Sequence, residues 1–193
     1  QASGIGLYGT RVTTPADENH GAGKGFIARL VVQWEKSVSP LQTAGVRVVY
    51  LRSGVVLAKD GGMLKKMLLP FRFYTGTIPG TGKQMISWIA LKDHVRATLH
   101  LIKNEKAQGP YNLVAPQAVS MKNFTHAIGN ALKKPAWLRL PAFFLRVFMG
   151  QMAKETILAS QVVLPARLTR EGFSFRFEKP EEALQDIFNK KSH

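Results

Sequence analysis

The hydrophobic positions of this chain follow two periods that alternate along its length. Phe26, Leu30, Trp34 and Val38 recur at helical spacing, and Ile27 and Val31 widen the stripe. A helix therefore packs here on an apolar surface until Pro40 ends or kinks it. The run that follows at 46–51, VRVVYL, has the β-branched character of a strand buried in a parallel sheet, and Arg52, Ser53 and Gly54 carry it out into a loop. Residues 1–9 read as an earlier strand leaving into a glycine-bearing loop. Strand, helix and strand in that order make a βαβ crossover, so the fold class is α/β.

A second block spans 76–95, GTIPGTGKQMISWIALKDHV. Gly76, Gly80 and Gly82 around Pro79 predict a tight turn. Met85, Ile86, Trp88 and Ile89 predict a buried strand, and Asp93 is placed to cap a helix that carries Val95, Leu99 and Ile102. A glycine turn meeting a strand and a helix start is a common wall of ligand clefts in α/β proteins. Residues 10–25 read as a polar loop, 63–67 as a short helix stopped near Pro70, and 111–114 as a strand. Ser120 predicts the cap of a helix over 121–132. Past Pro135, the segment 142–149 is apolar nearly all round and reads as core or cap. Pro165 starts a short helix, and Phe173, Phe175 and Phe177 alternate like a strand. Pro180, Glu181 and Glu182 open a last helix that closes near Lys190 and Lys191.

Composition narrows the picture. A chain of 193 residues, 45% hydrophobic and without cysteine, has the makings of a sizeable core, no disulfides and no thiolate metal site, and suits the reducing cytoplasm. Its five histidines are scattered without ligand spacing, so no metal is expected. No apolar run reaches the length of a membrane span: residues 138–149 are cut by Arg139, Pro141 and Arg146. The chain opens on Gln1 in a small-residue apolar segment and reads as a cut through a larger protein. Twenty-seven Lys and Arg against twelve Asp and Glu give +15, which favours phosphates, nucleotides, nucleic acid or an acidic membrane surface. The basic residues come as pairs and singles without an arginine-rich run, which predicts a solvated basic surface rather than a specific nucleic-acid footprint.

Several segments, in order, resemble one family. SGIGLYG at 3–9, the pair Trp34 and Glu35, VRVVYLRSGVVL at 46–57, DGGMLKKMLLPF at 60–71, GTGKQMISWI at 80–89, GPYNLVAP at 109–116 and the tail's LPARL and GFSF carry the likeness. They are similar to the epimerase-like subfamily of the extended short-chain dehydrogenase/reductases, which includes proteins described as cell-division inhibitors. The likeness covers nearly the whole chain. It implies the C-terminal part of a Rossmann-type doubly wound sheet over 1–115 and a small, mostly helical α+β domain over 116–193. It also implies NAD or NADP as cofactor, an unidentified small-molecule substrate and a homodimer through helices such as 26–38. The family's glycine-rich phosphate turn is not among these residues, so the chain alone is expected to bind cofactor weakly.

The resemblance also assigns residues. Ser3, Gly4, Arg52, Gly54, Val55 and Val56 would face the nicotinamide half of the cofactor, and Gln84, Trp88 and Asn112 the substrate. Ser3 and Tyr8 are the nearby proton-bearing side chains and stand as catalytic candidates. The family's YxxxK slots fall on Phe26 and Leu30, and its Ser/Thr slot on Gly4. A phenyl ring exchanges no proton and leucine lowers no pKa. Substrate positions drift too: the usual arginine, histidine and first aspartate become Ile86, Ala90 and Lys92, leaving Lys83 or Arg72 to meet a diphosphate. Two functions follow: an NAD(P)-binding epimerase or oxidoreductase-like protein, or a non-catalytic regulatory or interaction protein on the same fold.

Overall fold

The computed structural model describes residues 1–189. It opens with β1 (Ala2–Gly4), a 3-10 turn (Ile5–Tyr8) closed by Gly9 at φ 86°, and β2 (Arg11–Ala16). The expected polar loop thus contains a strand, whose partner lies far along the sequence and leaves no local signal. Helix α1 (Phe26–Lys36) ends at Ser37, and α2 (Ser39–Thr43) restarts with Pro40 in its first turn, so the proline separates two helices. In α1 the buried positions are Ala28 and Val31, whereas Phe26, Leu30 and Trp34 stand about half exposed. The packed face is therefore rotated from the stripe that the spacing singled out.

Strands β3 (Val49–Ser53) and β4 (Val55–Leu57) follow. The first starts three residues later than expected and includes Arg52 and Ser53; the second occupies the expected loop. Parallel pairing sets both. Residues Val49 to Ser53 run opposite Gly109 to Leu113, and after Gly54 the chain changes partner, with Val55 opposite Trp88. A Cβ on Gly54 would lie 2.6 Å from the Ser87 carbonyl oxygen and 2.7 Å from a Val114 methyl, so the change of partner requires a glycine.

Helix α3 (Gly62–Arg72) runs past Pro70, because a proline in the last turn removes only one backbone bond there. Then come β5 (Gly76–Pro79), β6 (Met85–Ile86), β7 (Trp88–Ala90) and α4 (Leu91–Lys103). Gly80 and Gly82 take the expected positive φ, 62° and 72°, while Gly76 sits inside β5. Asp93 caps nothing. It lies wholly buried in the first turn of α4, and its carboxylate accepts from the backbone N–H groups of Arg176 at 3.0 Å and Phe177 at 2.9 Å and from Arg96 at 2.6 Å. Those bonds hold 176–177 outside any ladder. The strand expected at Phe173, Phe175 and Phe177 is accordingly absent among the described residues, and Phe173 meets Phe175 edge to face at 5.0 Å. Val95, Leu99 and Ile102 are exposed on α4, whose buried side carries Ala97 and Leu101.

The remainder comprises β8 (Gly109–Leu113), β9 (Val119–Ser120), α5 (Met121–Leu132), β10 (Ala136–Leu140), α6 (Ala142–Met149), α7 (Gln151–Glu155), β11 (Ser160–Val163), α8 (Ala166–Arg170) and α9 (Pro180–Asn189). Ser120 caps α5 as expected, its hydroxyl accepting from Asn123 N–H at 3.2 Å. Lys190 and Lys191 lie outside the described residues. Helix α6 is not core: Leu145 is buried, but Phe143, Phe144 and Val147 are exposed.

The central sheet is parallel, in the order β1-β3-β8. The pairs β4-β7, β5-β10 and β2-β11 are parallel as well, and β6-β9 is antiparallel. Strands beyond residue 135 thus complete ladders begun before residue 80. Trp88, Phe71 and Phe124, all within 1% exposure, centre the largest core cluster, to which α3, α5 and α9 contribute. Each such side chain contributes about 1.5–3 kcal/mol on burial. Among the described residues no helix is long and apolar enough to cross a membrane.

Candidate functional site

The register of the central sheet brings the expected residues together at its carboxyl end. Ser3 lies opposite Arg52 and Gly4 opposite Ser53. Arg52 is buried and makes a bidentate pair with Glu35 of α1, Nε to Oε1 and Nη2 to Oε2, both at 2.9 Å. The Ser3 hydroxyl donates to the same Glu35 carboxylate at 2.6 Å. Arg52 Nη1 donates to the Tyr8 hydroxyl at 3.1 Å, which in turn donates to Asn112 Oδ1 at 2.7 Å. Asn112 passes the network on: its side-chain amide donates to the Leu164 carbonyl at 2.9 Å, and its backbone N–H to Glu18 at 3.0 Å. Glu18 also accepts from the Arg167 backbone N–H at 3.2 Å, tying α8 into the knot.

The electrostatics follow from this closure. Burial alone would lower the Arg52 pKa, but the bonds from Glu35 and Tyr8 hold it above its usual value. Burial pushes the Tyr8 phenol up, against the pull of Arg52 and Asn112, so tyrosinate is disfavoured. Beside the knot, Ser53 Oγ lies 2.8 Å from His94 Nε2, and burial lowers the imidazole pKa, which keeps it neutral at physiological pH.

Of the residues expected on the substrate side, Asn112 belongs to this cluster, and Gln84 and Trp88 lie apart from it. Gln84 is buried and donates to the Pro79 carbonyl at 2.9 Å, and Trp88 is fully buried with its indole N–H on the Gln117 carbonyl at 3.0 Å. Val55 and Val56 pack into two different core clusters. The space between Ile5, Val55, Met85, Ile86 and Gln161 measures only about 30 Å³, room for a water or two. A larger cleft of about 410 Å³ opens beyond the ends of β4 and β7, between Leu57, Lys59, Lys92, Phe177 and Asp186.

Three participants escaped the residue-level reading. Glu35 carries no signal of its own beyond its place beside Trp34, and Glu18 sits in a stretch that reads as loop. Glu155 accepts from the N–H groups of Phe26 and Ile27, at 3.2 and 2.7 Å, and so caps α1 from another element. Each acts across more than fifteen residues of sequence, a distance at which spacing carries no information.

Comparison with known proteins shows what the chain is similar to. Residues 140–187 match a family described as a domain of unknown function, DUF1731. An epimerase family protein of Mycobacterium leprae is 43% identical over 95% of this chain and 60% of its own length. The chain is similar to epimerase family proteins over nearly its whole length. The crystal structure of a human epimerase family protein with NADPH superposes with a TM-score of 0.90 at 29% identity, covering 98% of this chain and 64% of that one. A nucleoside-diphosphate sugar epimerase from Corynebacterium glutamicum does so at 0.77 and 30%, covering 97% and 37%. The mixed α/β architecture with parallel strands is thus the Rossmann-like epimerase fold expected from the sequence. The chain spans about three fifths of the length of the mycobacterial relative.

Proposed function

We propose that this chain serves an NAD(P)-binding epimerase or oxidoreductase-like function, and that its residues wall the nicotinamide end of the cofactor. The observation that carries this is the likeness to the human relative whose structure was solved with NADPH. The residues fit that end. Gly4 does not crowd the end of β1, since a Cβ there would rest in ordinary contact with Gly6 N and the Ser53 carbonyl at 3.9 Å, and Ser3 and Arg52 stand beside it in register. Among the described residues there is no glycine-rich phosphate turn, so the fit concerns the nicotinamide end alone. The cofactor, when bound, supplies hydride chemistry. Ser3 keeps its proton on Glu35 and offers its remaining lone pairs to a ligand donor, which makes it the catalytic candidate. Tyr8, its proton held by Asn112, acts as a positioning residue, and Gln84, Trp88 and Asn112 shape the substrate side from behind.

A second reading, a non-catalytic interaction protein on the same fold, is favoured by one observation. Phe26 and Leu30 hold the slots of the family's proton-transferring pair, and neither bears a proton to exchange. Saturation-transfer NMR with NADPH and the 193-residue chain tests the first reading. Binding in the millimolar range, about −4 kcal/mol, with stronger transfer to nicotinamide than to adenine protons is the expected result. Stronger adenine signals, or none at all, would overturn it. Turnover assays with nucleotide sugars then separate the two readings.

A further inference from the structure

One face of the molecule takes no part in the site above. Residues 61–92 and 106–154 contain no Asp or Glu and twelve Lys or Arg, of which Lys92 pairs with Asp186 of α9 away from this face. The β5-β10 ladder brings these two acid-free stretches together, with Ala136 opposite Gly76 and Leu140 opposite Pro79. At that junction Phe73 is 74% exposed, Trp137 64% and Tyr74 60%, and on α6, two residues beyond β10, Phe143 is 68% exposed. Three of the rings have partners. Trp137 Nε1 donates to the Tyr74 carbonyl at 3.2 Å, the Lys134 ammonium sits 4.4 Å from the Tyr74 ring centroid, and Phe143 meets Phe144 edge to face at 5.8 Å. Arg72, Lys133 and Arg139 are exposed around them, with Leu69, Leu138 and Val147 as exposed aliphatic side chains.

We propose that this face docks on the surface of an anionic lipid bilayer. Indole and phenol rings favour the headgroup level, where one end is apolar and the other wet, and clustered lysines and arginines favour an anionic leaflet. A second copy of the chain fits poorly, because a two-fold contact would set the same cations against each other with no carboxylate in either stretch to offset them. Nucleic acid would use the cations and rings, but Leu69, Leu138 and Val147 offer a phosphate backbone nothing, whereas they suit the acyl boundary. Docking here is interfacial and needs no spanning helix.

Flotation of the 193-residue chain with vesicles tests this. Binding is expected to vesicles of about three parts phosphatidylcholine to one part phosphatidylserine, to be absent with phosphatidylcholine alone, and to weaken as salt rises. Phe73→Ser with Trp137→Ser should abolish it, and Lys133→Glu and Lys134→Glu should each weaken it about five-fold or more. Circular dichroism melting checks that the variants fold; should the double aromatic variant not fold, the lysine variants decide. Failure to bind anionic vesicles, binding indifferent to these substitutions, dimerisation through the same residues in light scattering, or preferential capture of nucleic acid would each overturn the proposal.

Discussion

The knot around Arg52 and the face built on β5 and β10 are both rich in charge and aromatic rings, and they are put together in opposite ways. In the knot, Arg52 and Glu35 are each about one-tenth exposed and joined by two parallel bonds, with Ser3, Tyr8 and Asn112 closing the remaining valences. On the face, Phe73 and Trp137 stand more than half in solvent, and the cations around them have no carboxylate in their own stretches of chain. Desolvation explains the contrast. A buried guanidinium must be fully bonded, whereas an exposed one is held by water and is left for a partner. In the knot the charges are satisfied within the fold, and on the face they are not satisfied by their own stretches of chain.

The sharpest way to break the contrast is to remove one member of the buried pair. Arg52→Ala or Glu35→Ala should destabilise the protein by about 3–5 kcal/mol in urea unfolding, because the surviving charge stays buried alone. Arg52→Lys should recover only part of this, since an ammonium cannot repeat the bidentate geometry. Next comes Tyr8→Phe, which strands Asn112 Oδ1 and an Arg52 N–H and should cost about 1–3 kcal/mol by the same measurement.

What was legible beforehand divides along the same line. Local patterns, such as the buried strand through Trp88 and Ile89 and the Ser120 cap, placed elements correctly because their signal lies within a few residues. The strand from Arg11 to Ala16, the role of Asp93 and the partners of Arg52 depend on residues up to 149 positions away in the chain, and no spacing rule reaches them. Helical period alone also misjudged which side of α1 is buried, because amphipathicity gives a stripe's width but not what lies against it. The chemistry of Ser3 and Tyr8 was visible as residue type; that Tyr8 is sealed behind Asn112 was not.

Smaller effects sharpen the comparison through pH. The Tyr111 phenol, buried and bonded to Glu171 at 2.6 Å, is raised to about 12, and Tyr8 is raised as well. Groups with raised folded pKa values stabilise fully below their unfolded value, near 10, and lose that contribution as pH climbs through the folded one. Stability should therefore fall from about pH 10 towards 12, and Tyr111→Phe should flatten that decline in melts across alkaline buffers. His94 runs the other way: its lowered pKa means that stability is lost as pH falls below about 6.5, and His94→Gln should blunt the loss. Smallest of all, Trp137→Ser or Lys133→Glu should leave folding stability within about 0.5 kcal/mol of the unsubstituted protein, since exposed side chains contribute little to it.

The claim that the carboxyl end of the sheet is a closed structural knot is tested most directly by titrating Tyr8. With tyrosine labelled at Cζ and Tyr8→Phe used to assign the signal, NMR across pH 6 to 12 reads its proton directly. A Tyr8 resonance that stays in the phenol position beyond pH 10 is the result expected of a phenol held between Asn112 and Arg52. A tyrosinate forming near neutral pH would contradict it and return Tyr8 to the role of a proton-transferring group.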